Sequence, residues 1–158
     1  MPDKTEAENS RRLLVVKPLN HKCGSGLSEF DRLSVKELAR KIKTKMLDGK
    51  TVIATASTRC AQEMAYLFSC EFDTNMPIPC SPLNSRKPHN SEPSNLRGLV
   101  ALINGLITDH DNVVLITHVG DMSDYQIFSS WFLNNVLPVN SNSCELSQGG
   151  VVVIDLQL

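Results

Sequence analysis

Three basic side chains fall where one structural element hands over to the next. Lys17 closes a short apolar run, Leu13 to Val16. Arg59 opens a helical pattern just after a second run, Thr51 to Thr55. His118 ends a third, Asn112-Val113-Val114-Leu115-Ile116-Thr117-His118-Val119-Gly120. Val113 to Ile116 is apolar at every position, the pattern of a parallel strand covered on both faces. In open α/β sheets ligands collect at the carboxyl ends of strands. Helix N-termini there present unpaired N–H groups and a positive dipole end, which suits anions. Two fixed cations, an imidazole and a helix N-terminus are the ingredients of a phosphate or sulfate pocket. Arg59 stands in a first helical turn, where the dipole opposes a cation, so its presence asks for a reason. For His118 the plainer alternative is a polar residue that happens to close a strand.

The elements that must position these residues follow from hydrophobic period and punctuation. Residues 1–10 are polar and are expected to form a disordered N-terminal tail. The first strand, Leu13 to Val16, stops at Lys17-Pro18, because proline cannot continue a central ladder. A loop with Asn20, His21, Cys23 and Gly24-Ser25-Gly26 follows, and its glycines match neither a P-loop nor a dinucleotide fingerprint. Ser34-Val35-Lys36-Glu37 reads as a capping box and predicts a helix to about Leu47, buried along Val35, Leu38, Ala39, Ile42 and Met46. Thr51 to Thr55 is the second strand. Ser57 or Thr58 caps the next helix, with Ala61, Met64, Ala65, Leu67 and Phe68 on its apolar side. The proline-rich stretch from Asp73 to Glu92 is irregular, with a short edge strand near Met76 to Cys80. A helix from Pro93 to about Ile107, the strand ending at His118, a helix from Val119 to Asn134 and a last strand from Gly150 to Leu156 complete the chain. The order predicts a single domain over residues 11–158: an α/β fold, a three-layer α/β/α sandwich with a mostly parallel central sheet, its last strand free to run antiparallel at an edge.

Composition narrows the function classes. The 158 residues, 41% hydrophobic, suit one domain with a sizeable core. A net charge of −1 gives no general case for nucleic acid or membrane partners. The charge is uneven: residues 11–50 carry 11 basic and 4 acidic side chains, residues 51–158 carry 4 and 10. Much of the basic excess lies on one predicted helix, where a solvated face accounts for it. The five cysteines include no CxxC pair, which fits reduced thiols in a cytoplasmic protein and no metal cluster. The N-terminus has no signal-peptide core, and no apolar run is long enough to span a membrane. Nothing calls for a cofactor.

With these junctions in place the sequence resembles the histidine phosphatase (phosphoglycerate mutase-like) superfamily, and in length its short bacterial phosphohistidine phosphatases. Thr117-His118-Val119-Gly120 matches the family's Ser/Thr-His-x-Gly motif. Thr55-Ala56-Ser57-Thr58-Arg59 matches Ser-Pro-x-x-Arg at arginine and loosely at threonine. Leu27-Ser28-Glu29-Phe30-Asp31 resembles its Leu-Thr-x-x-Gly helix-entry segment, and Gly149 to Leu156 its closing strand. The resemblance implies that the chain leaves strand one through Arg-His-Gly, whose histidine is the nucleophile that becomes phosphorylated. Here that place reads Lys17-Pro18-Leu19. Lysine keeps the charge without the bidentate fork, and proline has no nucleophilic atom. Asn20 replaces a position that is often acidic, and an amide is no general acid. His21 as a substitute nucleophile needs placement within a fraction of an ångström.

The preferred expectation is therefore a catalytically impaired histidine phosphatase-like protein, a pseudoenzyme, binding a phosphate-bearing small molecule or phosphoprotein through Lys17, Arg59, His118 and Asn20. The alternatives are an active phosphatase with altered catalytic residues, His118 among them, and a structural or interaction protein with a vestigial pocket.

Overall fold

The computed structural model describes residues 10–18, 26–80, 96–117, 141–145 and 151–157. These form strands β1 (Ser10–Val16), β2 (Thr51–Thr55), β3 (Ile78–Pro79), β4 (Asn112–Ile116), β5 (Ser141–Glu145) and β6 (Val151–Gln157). The helices are α1 (Glu29–Lys43), α2 (Arg59–Phe72) and α3 (Leu96–Asp109). The six strands make one sheet in the order β3-β2-β4-β1-β6-β5. β1, β2, β3 and β4 pair in parallel, and β6 runs antiparallel to both β1 and β5.

The core sits on both faces of this sheet. Leu13 to Val16 of β1 and all of β4 are buried, so consecutive residues on opposite faces are equally covered. Neighbouring arginines make the layering explicit. Arg11 Nε donates to the Ile107 carbonyl of α3 at 2.8 Å. Arg12 Nη1 donates to the Lys45 carbonyl just beyond α1 at 2.7 Å. Successive strand residues point to opposite faces, so α3 and α1 lie on opposite sides of β1. Right-handed crossovers give the same result, since the chain steps outward through α1 and α2 and returns through α3.

Several boundaries differ from expectation for identifiable reasons. β1 starts at Ser10, inside the expected tail, because Arg12 is in register with Asp155 and bonds it at 2.6 Å. α1 begins at Glu29, capped six residues before the expected cap at Ser34. Its cap is Ser28, whose Oγ accepts from the Asp31 amide at 3.1 Å while the Asp31 carboxylate accepts from the Ser28 amide at 3.3 Å. Its first turns carry Phe30 and Leu33, 76% and 61% exposed, so the buried stripe that marks a helix begins only at Val35. α1 also ends earlier, at Lys43, with Thr44 as its C-cap. α2 is capped by Thr58 and buries Ala61, Met64, Ala65, Phe68 and Phe72. The last strand is antiparallel but interior, because β5 covers its outer edge. The expected helix over 119–134 and Pro93 lie outside the described residues.

At the end of the sheet away from the strand exits one side-chain amide makes three bonds. Asn112, fully buried, accepts from the Leu47 amide at 2.8 Å and donates to the Leu47 carbonyl at 2.7 Å and to Thr51 Oγ1 at 3.2 Å. Beside it Gly49, at φ 132°, leaves no room for a Cβ against the Asp111 carboxylate. Asn112→Ala strands both backbone groups of Leu47, at a cost of about 1–3 kcal/mol. Asn112→Asp is expected to cost more, since a carboxylate faces the Leu47 carbonyl. Denaturant unfolding of the three proteins checks this; an alanine variant as stable as the wild type would show that the clamp contributes nothing.

Candidate functional site

Register brings the exits of three strands to one level. Val16, Ile116 and Thr55 are in line across β1, β4 and β2. Main-chain bonds carry the ladder one residue further: the Thr117 amide donates to the Val16 carbonyl at 3.0 Å, and the Ala56 amide to the Ile116 carbonyl at 2.9 Å. β4 lies between the other two, so the chain leaving at Thr117 starts between the exits that lead to Lys17 and to Arg59. Strand spacing of about 4.8 Å puts the outer two exits about 10 Å apart along the backbone, within reach of two long cationic side chains.

Lys17 is half-buried, and its Nζ donates to the Pro18 carbonyl at 3.0 Å. Pro18 is buried. The two strand-end threonines hold backbone. Thr55 Oγ1 donates to the Ala56 carbonyl at 3.0 Å and Thr117 Oγ1 to the Val16 carbonyl at 3.3 Å, so both hydroxyl protons are engaged. Asn20, His21 and His118 lie outside the described residues.

Arg59 is the first residue of α2, and the local fold explains how a cation is kept there. Its Nε donates to Glu63 Oε1 one turn on, at 3.2 Å, with the arginine side chain 66% exposed. This i,i+4 pair offsets the opposing helix dipole. The other carboxylate oxygen, Oε2, accepts from the Leu27 amide at 2.7 Å. Glu63 therefore bridges the start of α2 to the entry of α1, a role invisible in the sequence because its partner lies 36 residues away. Gly26 lies against this bridge: a Cβ there would displace the Glu63 carboxylate and come within 3.2 Å of Arg59 Nε. Between α1 and α2 opens a cleft of about 400 Å³ lined by Arg32 of α1 and Arg59, Gln62, Glu63, Tyr66 and Leu67 of α2. None of these except Arg59 stood out as a site residue in the sequence.

The Leu27 amide, and then the hydrogen bond and charge of Arg59 and the charge of Arg32, hold the Glu63 carboxyl below its ordinary value of 4.5, against an opposing effect of burial. A depressed carboxyl pKa stabilises the fold above 4.5, and the contribution fades as pH falls through the lowered value. Glu63→Gln is expected to lose about 1 kcal/mol at neutral pH, with the gap from wild type closing in acid. Melting curves from neutral to strongly acid pH check this, and a gap that stays constant would mean that the charge of Glu63 is not what matters.

No protein-family model and no curated protein sequence matches the chain. Solved structures do. Phosphoglycerate mutase from Plasmodium falciparum superposes with a TM-score of 0.55 at 15% identity, over 90% of this chain and 85% of that one. Mycobacterial hydrolase 1 gives 0.53 at 16% identity over 82% of each chain. The product of open reading frame Rv3214 from Mycobacterium tuberculosis gives 0.53 at 11%, over 80% of this chain and 81% of that one. Strand order, layering and these superpositions agree: the chain has an α/β/α fold similar to that of phosphoglycerate mutase.

Proposed function

We propose that the protein is a catalytically impaired member of this fold that binds a phosphate-bearing ligand or phosphoprotein at the carboxyl edge of its sheet, through Lys17, Arg59, His118 and Asn20. The observation that carries the reading is Pro18. It follows Lys17 directly at the exit of β1 and is buried there. A proline ring offers neither a nucleophile nor a proton, so a covalent phosphoryl intermediate has no atom to form on at this position. The cations are a different matter. Lys17 and Arg59 follow β1 and β2, the two strands that flank β4, and an anion held between them would receive charge-assisted hydrogen bonds without any bond being made or broken. A cytoplasmic setting, where thiols stay reduced, belongs to the same proposal. Among the described residues no helix is long and apolar enough to cross a membrane.

One observation favours the competing reading of a vestigial pocket: Arg59 is already paired with Glu63. Two measurements separate the readings. Purified protein should not turn over p-nitrophenyl phosphate or phosphohistidine peptides above background, and turnover abolished by His118→Ala would sink the impaired reading. Phosphate should raise the melting temperature at constant ionic strength. One site is worth about 2.7 kcal/mol at a ligand concentration 100 times its dissociation constant. Sulfate and phosphate also stabilise proteins by exclusion, and Arg59→Ala controls for that term. Equal gains in both proteins would leave the vestigial scaffold ahead.

A further inference from the structure

β3 is an end strand of the sheet, two residues long. Its surroundings are apolar and open to water: Met76 beside it is 72% exposed and Ile78 within it is 38% exposed. An exposed edge with apolar side chains is a template for any extended chain, a second copy of this one included.

The main chain of the segment does not complete that template. β3 pairs in parallel with β2, Ala54 opposite Ile78 and Thr55 opposite Pro79. The Cys80 amide donates inward, to the Thr55 carbonyl at 2.9 Å. Along an extended strand successive N–H groups point to alternate edges, so the Ile78 amide points inward with that of Cys80. The outward positions are 77 and 79, and both are proline. Proline has no N–H. A chain laid along this edge would meet carbonyl oxygens alone, with a ring carbon at each place where one of its own carbonyls would have been received. Proline at an inward position would break the ladder with β2, so outward is where the fold tolerates it. Two at consecutive outward positions go further, since they remove the donors from the whole width of the strand.

Independently of the anion site proposed above, we infer that Pro77 and Pro79 close the β3 edge to strand addition, so that neither a second copy of this chain nor an extended peptide joins the sheet there despite the apolar side chains it exposes.

The test restores the donors. Pro77→Val/Pro79→Val gives both outward positions an N–H and keeps side chains suited to a strand. Sedimentation equilibrium compares it with wild type over a range of concentrations, and far-UV circular dichroism shows whether both are folded. The weight-average mass of the double variant should rise with concentration above that of wild type. The rise should reach about twofold, because an edge that pairs with its own copy closes as a two-fold dimer. Adding Ile78→Lys, a charge on the edge, should return the variant to wild-type behaviour. A folded double variant that sediments as wild type does at every concentration would overturn the inference. Association that Ile78→Lys leaves unchanged would also overturn it, since it then runs through another surface. Ile78→Lys alone, in the wild-type background, covers the case in which the double variant does not fold. It should leave the mass unchanged, and a fall in mass would mean that this edge already pairs in spite of its prolines.

Discussion

Strand β4 has no face and no edge in contact with water. All five residues are buried, and parallel partners bind it on both sides. A strand so placed cannot slip, because a shift of one residue would turn its polar start inward on the wrong face and unmake two ladders at once. Asn112 fixes its beginning through the Leu47 backbone, and the Thr117 amide continues its ladder onto β1. The level at which Lys17, Ala56 and Thr117 leave the sheet is inherited from that register. The geometry of the carboxyl edge is thus decided by apolar burial some distance from any charged group.

Above this rigid base the helices are joined by charged side chains. Arg11 and Arg12 tie β1 to the carbonyl-rich ends of α3 and α1, where a cation also complements the helix dipole. At the opposite ends of α1 and α2, Glu63 does the converse: it accepts an amide from the entry of α1 and steadies Arg59. One carboxylate thereby serves two ends. The arrangement gives Arg59 a reason to exist without any ligand, and it also fixes the guanidinium beside the cleft.

Much of the fold was legible because it is written in apolar runs. Leu13 to Val16, Thr51 to Thr55 and Val113 to Ile116 have to be strands of a covered sheet, and the intervening stripes have to be helices. Where the reading failed, the local sequence carried no such pattern. Phe30 and Leu33 put apolar residues on the wrong side of the first turns of α1, hiding a cap that uses Asp31 rather than glutamate. β5, Ser-Asn-Ser-Cys-Glu, is mostly polar, and it is a strand because its backbone completes the antiparallel ladder of β6. Lys17 and Arg59 could be picked out by position alone. Glu63, Gly26 and Arg32 could not, since their parts depend on contacts between helices that no local spacing reveals.

β1 lies in the interior of the sheet, yet its antiparallel partner is almost at the other end of the chain, Ser10 opposite Gln157 and Val16 opposite Val151. A ribosome adds about 5–20 residues per second, so roughly 7 to 28 s separate the synthesis of the two strands. Throughout that interval Leu13-Leu14-Val15-Val16 is a nascent hydrophobic segment without its final partner, the kind of sequence that associates with other chains. It is bracketed by Arg11-Arg12 on one side and Lys17-Pro18 on the other. Charge and proline at the borders of an apolar strand oppose aggregation. The residues that anchor and end β1 in the finished fold are therefore placed to keep it soluble before the fold exists.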